Sequence, residues 1–187
     1  ELPYGPFIAG GLLWQVLSSG PISYHLGGWE PPWGIEYRVD IVNAFVAVLV
    51  SLVAAVVIVY SRESVRAEVS PERHYLGYTM FALCLAGRLG ITGTGDAFNL
   101  FVFLEISSLS SYVLIALGRD RRGLMAAYQY LIMGTIGATC YVIGVAMLYL
   151  VTGTLNLADM AVRLPQAADA RPVLAALAFI TVGISLK

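Results

Sequence analysis

Gly95-Asp96-Ala97-Phe98-Asn99-Leu100-Phe101-Val102-Phe103-Leu104-Glu105 runs on through Ser107, Ser108 and Tyr112 to Gly118, and the fold class follows from it. From Ala97 to Leu117 the chain is apolar and, at about 21 residues, long enough to cross a bilayer core. One full charge lies inside this span, Glu105. At a helical rise it sits ~12 Å from Ala97, well within a core ~30 Å thick. An ionised carboxylate at that depth costs a few kcal/mol or more, so such a residue is read by default as a proton relay or ion site. The competing reading is a structural acid paired with a partner on another helix. On a helix Glu105 shares a face with Phe98, Phe101, Ser108 and Tyr112. A carboxyl group, a hydroxyl and a phenol in one stripe can hold water or pass a proton.

The whole chain has the same character. It has 187 residues, 58% of them hydrophobic and only 12% charged, with a mean hydropathy of +0.77. Soluble domains carry about 25% charge, so this is an integral membrane protein. A net charge of −1 and the lack of any basic run give no sign of a nucleic-acid partner. Cys84 and Cys140 fall in apolar runs at a spacing that fits no metal motif, and read as small core residues. His25 and His74 are single and loop-borne. Gly90-Ile91-Thr92-Gly93-Thr94-Gly95 lacks the preceding strand and the lysine of a nucleotide loop. No flavin, quinone or iron–sulfur signature appears. The expectation is therefore no cofactor, no metal and no catalytic redox centre in this chain.

Hydropathy divides the chain into spans. Residues 6–18 are apolar but too short to cross alone, and read as a partial span. Residues 19–40 read as an extended outer connection. There Gly27-Gly28, Pro31-Pro32 and Gly34 break any helix, and Trp29, Trp33 and Tyr37 suit an interfacial belt. Spans follow over 41–60, 75–91, 97–117 and 124–151, with a second partial span over 173–187. Arg88 lies near the end of its span, where a long side chain can snorkel. Gly90 to Gly95 reads as a tight turn, and 152–171 as a loop. Asp96 and Asn99 read as helix-cap or mouth residues of the Glu105 helix. Gly134, Gly137, Ala138 and Gly144 give 124–151 a small-residue face for close helix packing. Tyr128 and Tyr130 read as belt residues. Glu1 and Lys187 both adjoin apolar runs, and no signal peptide is visible, so a fragment of a longer membrane protein is expected. The fold class is all-α, a polytopic transmembrane helix bundle forming a single domain over 1–187.

Lys187 is a second charge at membrane depth, ~22 Å along its helix if that helix starts near Arg171. It either faces an acid or snorkels to water. Two opposite charges in hydrocarbon lower each other's cost when close.

The motif Gly-Asp-x-Phe-Asn-Leu-Phe-Val-Phe-x-Glu resembles the fifth-helix region of the antiporter-like membrane proteins, those of Mrp-type cation/proton antiporters and of respiratory complex I. The match is similar above all to the D-type branch of the Mrp family. Val182-Gly183-Ile184-Ser185-Leu186-Lys187 resembles the family's seventh helix, and Gly153-Thr154-Leu155-Asn156-Leu157-Ala158-Asp159 its outer loop after helix six. The resemblance implies a piece of a roughly fourteen-helix protein whose Glu105 and Lys187 face one another on a proton path that Ser108 and Tyr112 extend. It implies an extended or hairpin-like outer segment before Asp40. It also implies partner membrane subunits, a bacterial inner-membrane location, and protons exchanged against Na+ or another monovalent cation. The alternatives are a proton-pumping component of NADH-quinone oxidoreductase or of a membrane-bound hydrogenase, and a structural membrane component whose charges only pair. Gln129 departs from the pattern, since many relatives carry a lysine about there.

Charge asymmetry orients the chain. Segments 61–74 and 118–123 carry Arg62, Arg66, Arg73, Arg119, Arg121 and Arg122, whereas 19–40, 89–96 and 152–172 carry only Arg38, Arg163 and Arg171. The first set therefore faces the cytoplasm and the Trp29 and Asn156 segments face outward. An impermeant thiol reagent on intact cells is expected to label a cysteine at position 29 and to spare one at position 121; labelling of position 121 from outside would reverse the topology.

Overall fold

The structure, a computed structural model, describes residues 4–118, 120–166 and 170–187. Arg119 lies outside them. Among the described residues, four helices are long and apolar enough to cross a membrane. Many large apolar side chains of these helices, Val42, Leu52, Val59 and Leu150 among them, are exposed among the described residues.

Helix α1, Gly5–Ser19, packs against α2 and stops where Gly20 takes a left-handed φ of 87° and its N–H caps the Val16 carbonyl. Strands β1, Ile22–His25, and β2, Glu36–Val39, then pair antiparallel with Ile22 opposite Val39 and His25 opposite Glu36. Trp29 and Trp33 stand exposed in the loop between them. Asp40 accepts the Asn43 N–H at 2.9 Å and so starts α2, Ile41–Glu68. This helix outruns its apolar stretch by two turns, because Ser61 to Glu68 are largely good helix formers with nothing to break them. The polar connection is thereby cut to residues 69–73, with a short 3-10 turn over Pro71–Arg73.

Helix α3, His74–Gly93, runs straight through Gly90, where the sequence suggests a turn. The reason is packing. A Cβ at Gly90 would run into the Phe103 ring, and one at Gly87 would lie 2.7 Å from the Ser107 nitrogen. These glycines let α3 press on helix α4, Ala97–Ala116, rather than bend the chain. Asp96 caps α4 through the Asn99 N–H at 2.7 Å. Asp120 caps the long helix α5, Arg121–Thr152, which ends at Gly153 with φ 69°. The segment after it holds a short helix α6, Leu157–Arg163, where composition suggests only loop. Asn156 caps its first turn by accepting the Ala158 and Asp159 N–H groups, and Asp159 pairs with Arg163 one turn on at 3.5 Å. Helix α7, Ala170–Ser185, completes the bundle.

Another close crossing joins α5 to α7. A Cβ on Gly183 would lie 2.7 Å from the Gly137 carbonyl oxygen, and one on Gly144 would lie 2.8 Å from that of Ala176. Ala176 is fully buried there, in a cluster with Ala97, Tyr141, Val145, Leu148 and Met160. Helix association in lipid relies on such contact, since apolar burial supplies no drive there. At the end of the bundle that carries the hairpin, backbone bonds stitch separate connections together: Gly95 N–H to the Glu36 carbonyl, Ala97 N–H to Leu155 and Leu157 N–H to Gly95, each at 2.8 or 2.9 Å.

Gly183→Leu in the full-length protein is expected to force α7 away from α5 and to destabilise it by about 1–3 kcal/mol. This would be read as a lowered thermal midpoint in detergent. An unchanged midpoint would mean that the crossing is looser than described.

Candidate functional site

The site forms where α4 meets the end of α7. Helix α4 presents Glu105, Ser108 and Tyr112 along one face, and α5 supports α7 through the Gly137–Gly183 contact. That contact leaves Lys187 reaching across to α4. The Lys187 ammonium forms an ion pair with Glu105 Oε1 and donates a second hydrogen bond to Ser108 Oγ at 3.3 Å. The pair is well enclosed, the lysine side chain 9% exposed and the glutamate 25%. Three of the residues singled out from sequence thus touch one another, and the fourth follows. Tyr112 is buried one turn along from Ser108, and its hydroxyl interacts with the Ser108 side chain. Gly134 on α5 makes room for that hydroxyl, since a Cβ there would collide with it.

Tyr130 belongs here as well. Its ring meets Tyr112 edge-on at 4.9 Å, and its hydroxyl donates to the Lys187 carbonyl at 3.4 Å. Its place near the end of a span suggests an interfacial belt instead. The signal available in the sequence is spacing: Tyr130, Gly134, Gly137 and Tyr141 fall on one face of α5. Tyr128 and Gln129 are exposed and do not join the site.

Asp96 and Asn99 lie apart from the pair, at the N-terminal end of α4. Asp96 acts as a cap, and Asn99 donates from its side chain to Thr94 Oγ1 at 3.0 Å. Burial pushes the Asp96 carboxyl above its ordinary value, against the backbone hydrogen bonds it accepts. One turn outward from Glu105, Phe101 stacks on Tyr141 with ring centroids 6.4 Å apart. The Tyr141 hydroxyl donates in turn to the Ala97 carbonyl at 3.1 Å, at the start of α4.

A second acid, Glu36, anchors the same end of the bundle. Its two carboxylate oxygens accept from the Ser23 hydroxyl and the Asn156 amide, both at 2.6 Å. The hairpin is thus tied to the loop between α5 and α6. No periodic or compositional signal marks this contact in the sequence, since Glu36 and Asn156 are 120 positions apart.

Chemically, Glu105 and Lys187 are two ionisable groups in contact, with the Ser108 and Tyr112 hydroxyls running from them along α4. Separation would leave each ion alone in hydrocarbon. The carboxylate can relieve that by taking up a proton and the ammonium by releasing one.

A family profile described as NADH:quinone oxidoreductase/Mrp antiporter, TM matches residues 94–187, which hold α4 through Lys187. The chain belongs to this family. The N-type NADH-quinone oxidoreductase subunit of Desulforudis audaxviator is 46% identical over 167 residues, which are 89% of this chain and 33% of that protein. The D-type Na(+)/H(+) antiporter subunit of Alkalihalophilus pseudofirmus is 35% identical over 152 residues, 81% of this chain and 30% of that protein. Among solved structures, a chain of the membrane-bound sulfane sulfur reductase, an archaeal respiratory membrane complex, superposes with a TM-score of 0.88 at 34% identity. That match covers 97% of this chain and 36% of the other. The chain thus spans about a third of the length of the curated relatives it matches. Relatives of both the N-type and the D-type branch match it, so the sequence motif identifies the family rather than one branch. Membership and the four apolar spans make it a multi-pass protein of the inner-membrane type.

Glu36 yields a pH prediction. The Ser23 hydroxyl holds its carboxyl below the ordinary value; burial works the other way, and the Asn156 amide, Arg38 and His25 add to the lowering. A carboxyl lowered in the folded state stabilises the fold above its unfolded value, and that contribution is lost as pH falls through the folded one. Wild type should therefore exceed Glu36→Gln in thermal midpoint at neutral pH, and the gap should close below about pH 4. A gap that stays constant with pH would exclude the ionised contact.

Proposed function

We propose that this chain is the proton-carrying part of an antiporter-like membrane protein, with Glu105 and Lys187 as the switchable pair and Ser108 and Tyr112 as relay groups. The observation that carries this reading is the contact of two opposite charges on α4 and α7 inside the membrane. An ion pair in hydrocarbon is a poor source of stability, because desolvation offsets most of the attraction. Its retention is better explained by what ionisable groups alone can do. Closed, the pair holds both charges. Opened by motion of α7 or by a charge arriving nearby, it has two states that a second event can bias, which is what coupling requires.

The work that drives the pair is exchange of protons against Na+ or another monovalent cation, as in a Mrp-type antiporter with this chain in its D-type component. The second reading is a redox-driven pump of the complex I or membrane hydrogenase kind, favoured by the 46% identity to an N-type oxidoreductase protein. In both, the protein works beside other membrane subunits, and no redox centre need lie in this chain. Proton flux in everted vesicles separates the two: a Na+ pulse drives the first, and NADH oxidation drives the second.

Glu105→Gln in the full-length protein should abolish proton flux while the protein accumulates normally, because a neutral isostere inserts at least as easily. Glu105→Asp should retain part of the flux. Ser108→Ala should retain most, since water replaces a hydroxyl in a wet path. The readout is a pH-sensitive dye in everted vesicles, with protein level checked by immunoblot. Full flux in the Gln variant would make Glu105 a structural residue.

A further inference from the structure

Arg88 is the intramembrane charge that the Glu105–Lys187 pair leaves unused. It lies on α3 five residues before the helix ends at Gly93, ~7.5 Å inside that end. Its side chain is exposed on the bundle surface. Among the described residues no ion pair or hydrogen bond engages it. It closes one end of an open groove of about 270 Å³ between α2 and α3, walled by Leu49, Val53, Ala54, Val57 and Phe81. Helix α2 enters from the outer side at Ile41 and α3 leaves toward it at Gly93. Leu49 and Arg88 are therefore at the outer end of the groove, and Val57 and Phe81 lie deeper.

We propose that this groove binds one anionic phospholipid of the outer leaflet, its phosphate on Arg88 and one acyl chain along Leu49, Val53, Val57 and Phe81. Charge complementarity selects this occupant. A guanidinium left alone in hydrocarbon costs several kcal/mol, and its long side chain relieves that by reaching toward the headgroup layer. A phosphate oxygen pair matches the guanidinium fork and is already present at that depth. A protein helix in the same place would have to carry a carboxylate into the membrane to pair with Arg88, which is rare. The walls match an acyl chain, since Arg88 is the single charged residue among them.

The test uses the full-length protein in its purified complex and a phosphatidylglycerol carrying a photoactivatable acyl chain. Cross-links are expected on the peptides holding Val53, Val57 and Phe81. Arg88→Gln should reduce them about tenfold, equivalent to about 1.4 kcal/mol of binding. Ala54→Phe fills the groove and keeps the arginine, and should reduce them at least as much. Ala54→Phe therefore decides the matter even if the arginine variant does not accumulate. A phosphatidylcholine probe should label weakly, and excess inorganic phosphate should not compete. Undiminished labelling in Ala54→Phe, equal labelling by phosphatidylcholine, or competition by inorganic phosphate would each overturn the proposal. So would a density map showing a protein helix with an acid against Arg88.

Discussion

The contact between the Lys187 ammonium and the Glu105 carboxylate is the constraint around which the bundle is arranged. Each charge is costly alone at that depth, and the contact brings together two helices far apart in the chain. Helix α4 supplies the acid in mid-span, and Lys187, two residues past Ser185, supplies the base. The ladder of glycines on α5 is what allows this. Gly137 lets α7 approach until Gly183 touches it, and Gly134 leaves the hydroxyl of Tyr112 its place beside Ser108. A larger residue at either position would move one partner relative to the other.

The outer side is arranged for rigidity instead. Glu36 joins the hairpin to the loop before α6, and the backbone bonds of Gly95, Ala97 and Leu157 bind that loop to the start of α4. The Phe101–Tyr141 stack lies between this assembly and the ion pair. The hairpin end of the bundle is thus held by hydrogen bonds, and Glu105, Lys187, Ser108 and Tyr112 gather further along α4.

Much of this is legible in the residues. Length and hydropathy mark the apolar helices, because in lipid every backbone group must be satisfied within the segment. Asp40, Asp96, Asp120 and Asn156 each stand where a helix begins and cap it. Glu105 and Lys187 stand out because charge is rare in such a background. What is not legible depends on distance in space. Gly90 reads as a turn, since glycine breaks helices locally, yet Phe103 on the next helix is what requires it. The short α6 is hidden because a seven-residue helix carries too little apolar periodicity to be seen. Tyr130 resembles any interfacial tyrosine until α7 is placed beside it, and the partners of Glu36 lie on other elements.

Everything proposed for the site requires that Glu105 and Lys187 touch within the bilayer. Solid-state NMR on the full-length protein in lipid, labelled with 15N-lysine and 13C-glutamate, measures this directly through the dipolar coupling between lysine Nζ and the glutamate carboxyl carbon. A coupling characteristic of direct contact, present in wild type and absent in Glu105→Gln, is the predicted result. Identical dephasing in the two proteins would contradict it, because no lysine would then lie against Glu105.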